Sequence, residues 1–229
     1  MTSIKDLKCV HRHSIETHPS CFAKGLIKYD FESDKEWEKI TGQPWYTFPE
    51  YRVGYLDIET DNLKADFGTM LSWAIKEKEG STTVGVITKK ELFSEVDVDK
   101  RLVKDLIDIM REYRIIVTYF GTRFDLAFAR AKALHYGLDF PEYGEIYHHD
   151  LFYTVKSKIC ISRKSLESVC DYLGINGKTP IEREAWRRAK YGNEDALKEV
   201  VEHNVGDVEI LELLHNKLEP FRKWTRSSV

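Results

Sequence analysis

Residues 52–60 read RVGYLDIET, and no other stretch constrains the chain as tightly. Val53, Tyr55, Leu56 and Ile58 mark a buried strand. Asp57 and Glu59 stand at its end, spaced i, i+2. Side chains alternate along a strand, so these two carboxylates project from the same side. Held side by side they repel each other and cost desolvation. Two arrangements answer that cost. Either a hard divalent cation such as Mg²⁺ or Mn²⁺ sits between them, or the strand ends here and both acids point into water.

The chain has 229 residues, 42% hydrophobic and 32% charged, which suits one globular domain of ordinary to large size with a small appendage. A net charge of −3 does not advertise nucleic-acid binding. It does not exclude it, because a local basic rim can surround an acidic site. No stretch approaches the roughly 20 apolar residues of a membrane span. The opening MTSIKDLKCVHRH lacks the apolar core of a signal peptide. The expectation is a soluble, cytoplasmic protein without a membrane partner. In a reducing compartment its four cysteines, Cys9, Cys21, Cys160 and Cys170, are not expected to form disulfides. Cys160 and Cys170 read as small buried apolar residues.

Three stretches divide the chain. Residues 1–25 are rich in His and Cys. Residues 26–50 carry Trp37, Pro44, Trp45 and Pro49 and form a connecting segment with a short helix at about 33–41. From residue 51 the pattern becomes regular and runs to 229. Strands are expected at about 52–59, 68–78 and 82–88, with Glu79-Gly80-Ser81 as a turn. Leu102, Val103, Leu106, Ile107 and Met110 form the apolar face of a helix at about 98–112. Ile115, Ile116 and Val117 mark a further buried strand. A helix at 124–136 ends near Gly137, and 145–149 is another strand. Asp150 N-caps a helix at 151–158. Ser162 or Arg163 opens one that Gly174 stops, Pro180 opens 181–190, and 193–218 is the longest, stopped by Pro220. The order describes an α/β domain, a mixed β-sheet flanked by helices.

Two further acids stand out. Asp125 follows the strand at 115–119, where a helix begins, a place the helix dipole already favours for Asp. Asp207 lies within the long last helix, in EHNVGDVEILELL. Val201, Val205, Val208, Leu211 and Leu214 make that helix's apolar stripe. His203 precedes Asp207 by four residues on one face, which by itself describes a solvated His–Asp pair. Gly206 interrupts the helix interior at a cost of about 1 kcal/mol relative to Ala, which points to close packing against the backbone.

Taken together, DIET on a first strand, GTRFD after a later strand and HNVGD on the last helix resemble the DEDD-type 3′–5′ exonucleases of the ribonuclease H-like superfamily. The nearest look is the branch of predicted phage and prokaryotic nucleases with Tyr-type spacing in the third motif. The resemblance covers about 51–218 and implies a ribonuclease H-like exonuclease domain. It implies that Asp57, Glu59, Asp125 and Asp207 hold two Mg²⁺ or Mn²⁺ ions, roughly 3.5–4 Å apart, for phosphodiester hydrolysis on DNA or RNA. His203 would orient or deprotonate the attacking water, with Glu59 aligning it. His203 has the spacing that the family usually gives to Tyr. The stretch Tyr119-Phe120-Gly121-Thr122 stands where the family often carries an Asn.

Substrate contacts are assigned to Thr60, Phe124, Lys164 and Lys178. Lys156, Lys158, Arg163, Arg187, Arg188 and Lys190 read as solvated helix faces, although those near 156–164 are placed to take phosphates. Tyr119, Phe120 and Phe124 are core anchors or stacking partners of a terminal base. Asp150 is most simply an N-cap. A structure-selective endonuclease and a non-catalytic nucleic-acid-binding protein are the alternatives. With no polymerase or helicase region in the chain, any replication or repair partner would be a separate protein.

Residues 9–21 read CVHRHSIETHPSC. Cys9, His13, His18 and Cys21 give C-x3-H-x4-H-x2-C, with His11 as an alternative ligand. Two thiolates and two imidazoles suit tetrahedral Zn²⁺, which would supply folding energy that this polar segment lacks. The competing reading is a disordered tail with incidental His.

Overall fold

A computed structural model describes residues 52–177 and 181–221, together with the backbone of a two-residue antiparallel ladder, Lys8–Cys9 against Ile27–Lys28. The zinc reading therefore lies outside the described residues, save for the backbone of Cys9. So do the helix at 33–41 and the substrate candidate Lys178.

One five-stranded sheet organises the rest. Its strands are β1 (Val53–Thr60), β2 (Met70–Glu77), β3 (Thr82–Val86), β4 (Ile115–Thr118) and β5 (Tyr147–Asp150). Their spatial order is β3-β2-β1-β4-β5. The first three form an antiparallel meander, and β4 and β5 extend it in parallel with β1. Parallel neighbours need crossovers, which helices supply. The helices are α1 (Lys89–Leu92), α2 (Lys100–Met110), α3 (Asp125–Tyr136), α4 (Leu151–Lys158), α5 (Leu166–Leu173), α6 (Arg183–Lys190) and α7 (Glu194–Leu218). Among the described residues none is long and apolar enough to cross a membrane.

The alternation along β1 divides the core. Leu56 and Ile58 face a cluster with Leu102, Leu106 and Met110 of α2 and Leu126 and Ala129 of α3. Val53 and Tyr55 face the other cluster, with Val208, Leu211 and Leu214 of α7. Asp57 and Glu59 share parity with Val53 and Tyr55, so the pleat aims both acids to the side where α7 lies.

Several element ends differ from expectation for local reasons. α5 opens at Leu166, not at 162 or 163, because Ser165 Oγ accepts the N–H of Ser168 and sets the cap there. The short α1 is an addition. Thr88 and Glu91 form a reciprocal capping box that nucleates one turn. Pro220 falls within a 3₁₀ turn, Glu219–Phe221, that prolongs α7. Gly137 and Gly174 close α3 and α5 in the left-handed conformation, as their positions predict. Cys170 is buried, but Cys160 is exposed just past the end of α4, so the expectation of burial holds for one of the two.

Two buried polar anchors tie helices to the sheet. Asp99 is fully buried and accepts the Met70 N–H at 2.7 Å and the Tyr136 hydroxyl, with Lys132 Nζ at 3.2 Å. Glu212 of α7 accepts the Glu79 N–H at 2.7 Å and pairs with Lys76 Nζ at 2.8 Å. The second anchor holds α7 against the β2–β3 turn and so fixes the helix that carries His203 and Asp207.

Candidate active site

At the upper end of β1 the sheet hands its hydrogen bonding to side chains. The β1–β4 ladder last pairs Tyr55 with Val117. Beyond it, Asp125 Oδ1 accepts the Ile58 N–H at 3.0 Å, which locks the first residue of α3 against β1. Asp125 is only 2% exposed. Burial, with smaller contributions from Asp150 and Asp207, pushes its carboxyl up to about 7, against the pull of its backbone hydrogen bonds.

Asp57 sits between these groups. Burial first, then the charges of Asp125, Glu59 and Asp207, hold its carboxyl well above the usual carboxylate range. One bond opposes that rise. Asn204 of α7 donates its amide to Asp57 Oδ2 at 2.6 Å. Asn204 in turn accepts the Ser72 hydroxyl at 3.1 Å, and both residues are fully buried. Ser72 lies opposite Glu59 in the β1–β2 ladder, so the chain Ser72–Asn204–Asp57 pins α7 to both strands.

Glu59 is held from the other side. Trp186 of α6 donates its indole N–H to Glu59 Oε2 at 2.6 Å. The same indole meets the His203 ring edge-on, with centroids 5.7 Å apart. His203 is 6% exposed, and its Nε2 lies 3.7 Å from Glu59 Oε1 and 3.8 Å from Asp207 Oδ2. The imidazole thus stands between the acid that ends β1 and the acid one turn along its own helix. Just beyond, Asp61 accepts the Thr69 N–H at 2.6 Å and pairs with Lys190, which pins the last turn of α6 beside β1.

Asp150 organises the loop before Asp125. It caps α4 through the Phe152 N–H at 3.1 Å, as expected, and also accepts from Phe120 N–H at 2.8 Å and Thr122 N–H at 3.0 Å. At Gly121 a Cβ would lie 2.3 Å from Thr118 Oγ1, so only glycine lets the loop pass this closely. Thr118 is hydrogen-bonded to His148 Nε2 at 2.8 Å, and burial pushes that imidazole down to about 4.

The four acids and His203 come together from three distant segments. The other candidates are placed differently. Thr60 donates its hydroxyl to Asn62 O at 2.8 Å, just past a bulge in the β1–β2 ladder. Phe124 packs on Phe128, ring centroids 6.0 Å apart, and lines the α2–α3 core. Lys164 donates its ammonium to Ile161 O at 2.9 Å. Asn204, Ser72 and Trp186 were not among the sequence candidates. His203-Asn204 adjacency was the one available hint for Asn204, and a tryptophan amid the basic residues of α6 the one for Trp186.

The donor set suits hard divalent cations, because four carboxylate groups supply oxygen ligands and excess negative charge. Burial is the first cause of the elevation of Asp57 and Asp125 and the neighbouring carboxylates add to it, so a bound cation would favour both ionised forms. Among the described residues, no three His, Cys, Asp or Glu side chains are already gathered around one ion position. Asp57 and Glu59 are turned to Asn204 and Trp186 instead.

Residues 54–219 match the model of a family described as the RNase_H superfamily. This chain belongs to the RNase_H superfamily. Its sheet, a three-stranded meander continued by two parallel strands, is the RNase H-like fold. A DNA polymerase of Methanocaldococcus jannaschii is 40% identical over 58 residues, which make up 24% of this chain and 4% of that protein. The family B DNA polymerase of the hyperthermophilic archaeon Pyrobaculum calidifontis shares the fold with a TM-score of 0.60 and 22% identity. That likeness covers 76% of this chain but 25% of the polymerase, so this RNase H-like chain corresponds to a minor part of either relative's length.

Proposed function

We propose that the chain is a metal-dependent 3′–5′ exonuclease that hydrolyses phosphodiester bonds of DNA or RNA. The observation that carries this reading is the position of His203, within 4 Å of both Glu59 and Asp207 while Asp57 and Asp125 stand in the same charged group. Membership in the RNase_H superfamily supports nuclease chemistry in general.

Asp57, Glu59, Asp125 and Asp207 would hold two Mg²⁺ or Mn²⁺ ions. The chemistry such ions supply when bound is a more acidic attacking water and relief of charge on the leaving oxygen. The protein's part follows from its own atoms. His203 Nε2 orients the attacking water and takes its proton. Glu59, held by Trp186, aligns that water. Asn204 keeps Asp57 in place before the substrate arrives. The likeness to DNA polymerases supports a nucleic-acid substrate and a replication or repair partner. For residues 1–25 the proposal is one structural Zn²⁺ on Cys9, His13, His18 and Cys21, with His11 as an alternative ligand. The zinc content of tag-free protein tests it.

Digestion of 3′- and 5′-labelled single- and double-stranded DNA and RNA with Mg²⁺ or Mn²⁺ tests the main reading. Stepwise loss from the 3′ end is expected. Internal cuts would replace it with a structure-selective endonuclease. Binding without cleavage would leave a non-catalytic nucleic-acid-binding protein.

A further inference from the structure

Phe120 combines three properties. Its backbone lies in the left-handed region, with φ +68°. A bulky side chain is strained there, whereas Gly or Asn adopts the conformation more easily. Its ring is 40% exposed. And it occupies the loop that delivers Asp125 to the site.

The strain is locked in from both sides. The Phe120 N–H is bound to Asp150 at 2.8 Å, and its carbonyl accepts from Arg123 at 3.0 Å and Phe124 at 3.1 Å. The next carbonyl, Gly121 O, accepts the Leu126 N–H at 3.0 Å. Strain held this firmly at a functional site points to a role for the displaced side chain.

The surroundings say what the ring would meet. Phe120 stands edge-to-face on Phe152 with centroids 4.8 Å apart, and Phe152 meets Tyr153 in the same way at 5.4 Å. Phe152 thus supports the Phe120 ring, and the exposure of Phe120 leaves part of it accessible to a flat partner. Tyr153 is also 40% exposed. Arg123, a cation, is exposed in the same loop. Aromatic rings beside cations are how proteins hold unpaired bases.

We propose that Phe120, backed by Phe152 and Tyr153, is a stacking platform for a nucleobase of the strand whose phosphodiester lies at the carboxylates. This rests on the nuclease reading. It makes Phe120 a substrate-positioning residue and explains why the loop holds a ring in an unfavourable backbone conformation. Stacking reads a π-face and not an edge, so the platform takes any base.

The test uses the full chain and single-stranded deoxyoligonucleotides carrying 2-aminopurine at the last, second or third position from the 3′ end, with Ca²⁺ present to limit cleavage. Wild type should quench at least one probe on binding. Phe120→Asn, which suits the left-handed backbone, should bind about tenfold more weakly or worse, lose the quench and melt no lower than wild type. Phe120→Tyr should keep both binding and quench. Equal affinity and quench for Phe120→Asn would overturn the platform, as would loss that tracks a fall in melting temperature in both variants. Quenched binding without any cleavage in Mg²⁺ or Mn²⁺ would support the platform and sink the nuclease reading alone.

Discussion

Trp186 and Glu59 meet across 127 residues of sequence through an indole N–H bound to a carboxylate oxygen at 2.6 Å. The contact joins α6 to the end of β1, and the same indole meets the His203 ring at nearly a right angle. Trp186 is a positioning residue, since it touches Glu59 and His203 but carries no acid–base group of its own. Replacing it with Phe keeps an aromatic body and removes the donor. A hydrogen bond to a charged group contributes about 1.5–3 kcal/mol, so kcat should fall roughly ten- to a hundredfold. KM should stay near wild type. Steady-state kinetics on a labelled oligonucleotide checks this. A change confined to KM would show that Trp186 serves substrate binding instead.

Asn204 has its orientation set by two partners, the Ser72 hydroxyl on its oxygen and Asp57 on its nitrogen. Asn204→Ala strands both in a buried place, which costs about 1–3 kcal/mol. Asn204→Asp adds a fifth carboxylate instead. Its unfolding midpoint in EDTA should drop below that of Asn204→Ala, and Mn²⁺ should restore more of it. Urea titrations with and without Mn²⁺ decide the point. Identical midpoints for the two variants in EDTA would contradict the crowding of charge described around Asp57.

Much of this was legible from residue order. The i, i+2 acids of β1 had to share a face, and Asp125 and Asp207 followed a strand and a His at recognisable spacings. Asn204 and Trp186 were not legible, because their roles depend on partners 147 and 127 residues away. A local window sees a polar residue in a helix and a tryptophan among arginines. Phe120 was legible as a core or stacking ring, but its left-handed backbone was hidden for a different reason. Propensity argues against a bulky left-handed residue, and only the grip of Asp150 and two loop carbonyl bonds makes it hold. The capping box at Thr88 and Glu91 is the opposite case, a short-range signature present in the sequence that by itself accounts for α1.

The elevated carboxyl of Asp125 makes stability depend on pH. An ordinary aspartate titrates near 3.8, and this one is pushed up to about 7. Between those values the folded state keeps a proton that the unfolded chain has released. The group's favourable contribution is therefore complete below about 4 and is lost as pH rises through about 7. Asp57 shifts in the same direction. In EDTA, the melting temperature of wild type relative to Asp125→Asn should decline across that window. Above it, Mn²⁺ should raise the wild-type value by more than the variant's, since the cation takes over from the proton. Parallel melting curves for the two proteins at every pH would refute the assignment.

Glu212 offers a test of what fixes α7. Its side chain is 10% exposed, pairs with Lys76 and accepts the Glu79 N–H, where the backbone turns with φ +56°. Removing one member of a buried pair costs about 3–5 kcal/mol, because the other charge stays behind without compensation. Glu212→Ala should approach that loss in urea unfolding. Glu212→Gln keeps an oxygen for the Glu79 N–H and should lose less. Lys76→Met with Glu212→Leu removes both charges, and most of the stability should return even though the Glu79 N–H lacks its acceptor. The activity readout separates the two jobs of α7. If the helix end near the β2–β3 turn positions His203 and Asp207, Glu212→Ala should lower kcat at temperatures well below its melting point. If kcat holds there, the ion pair stabilises the fold without setting the register of the site.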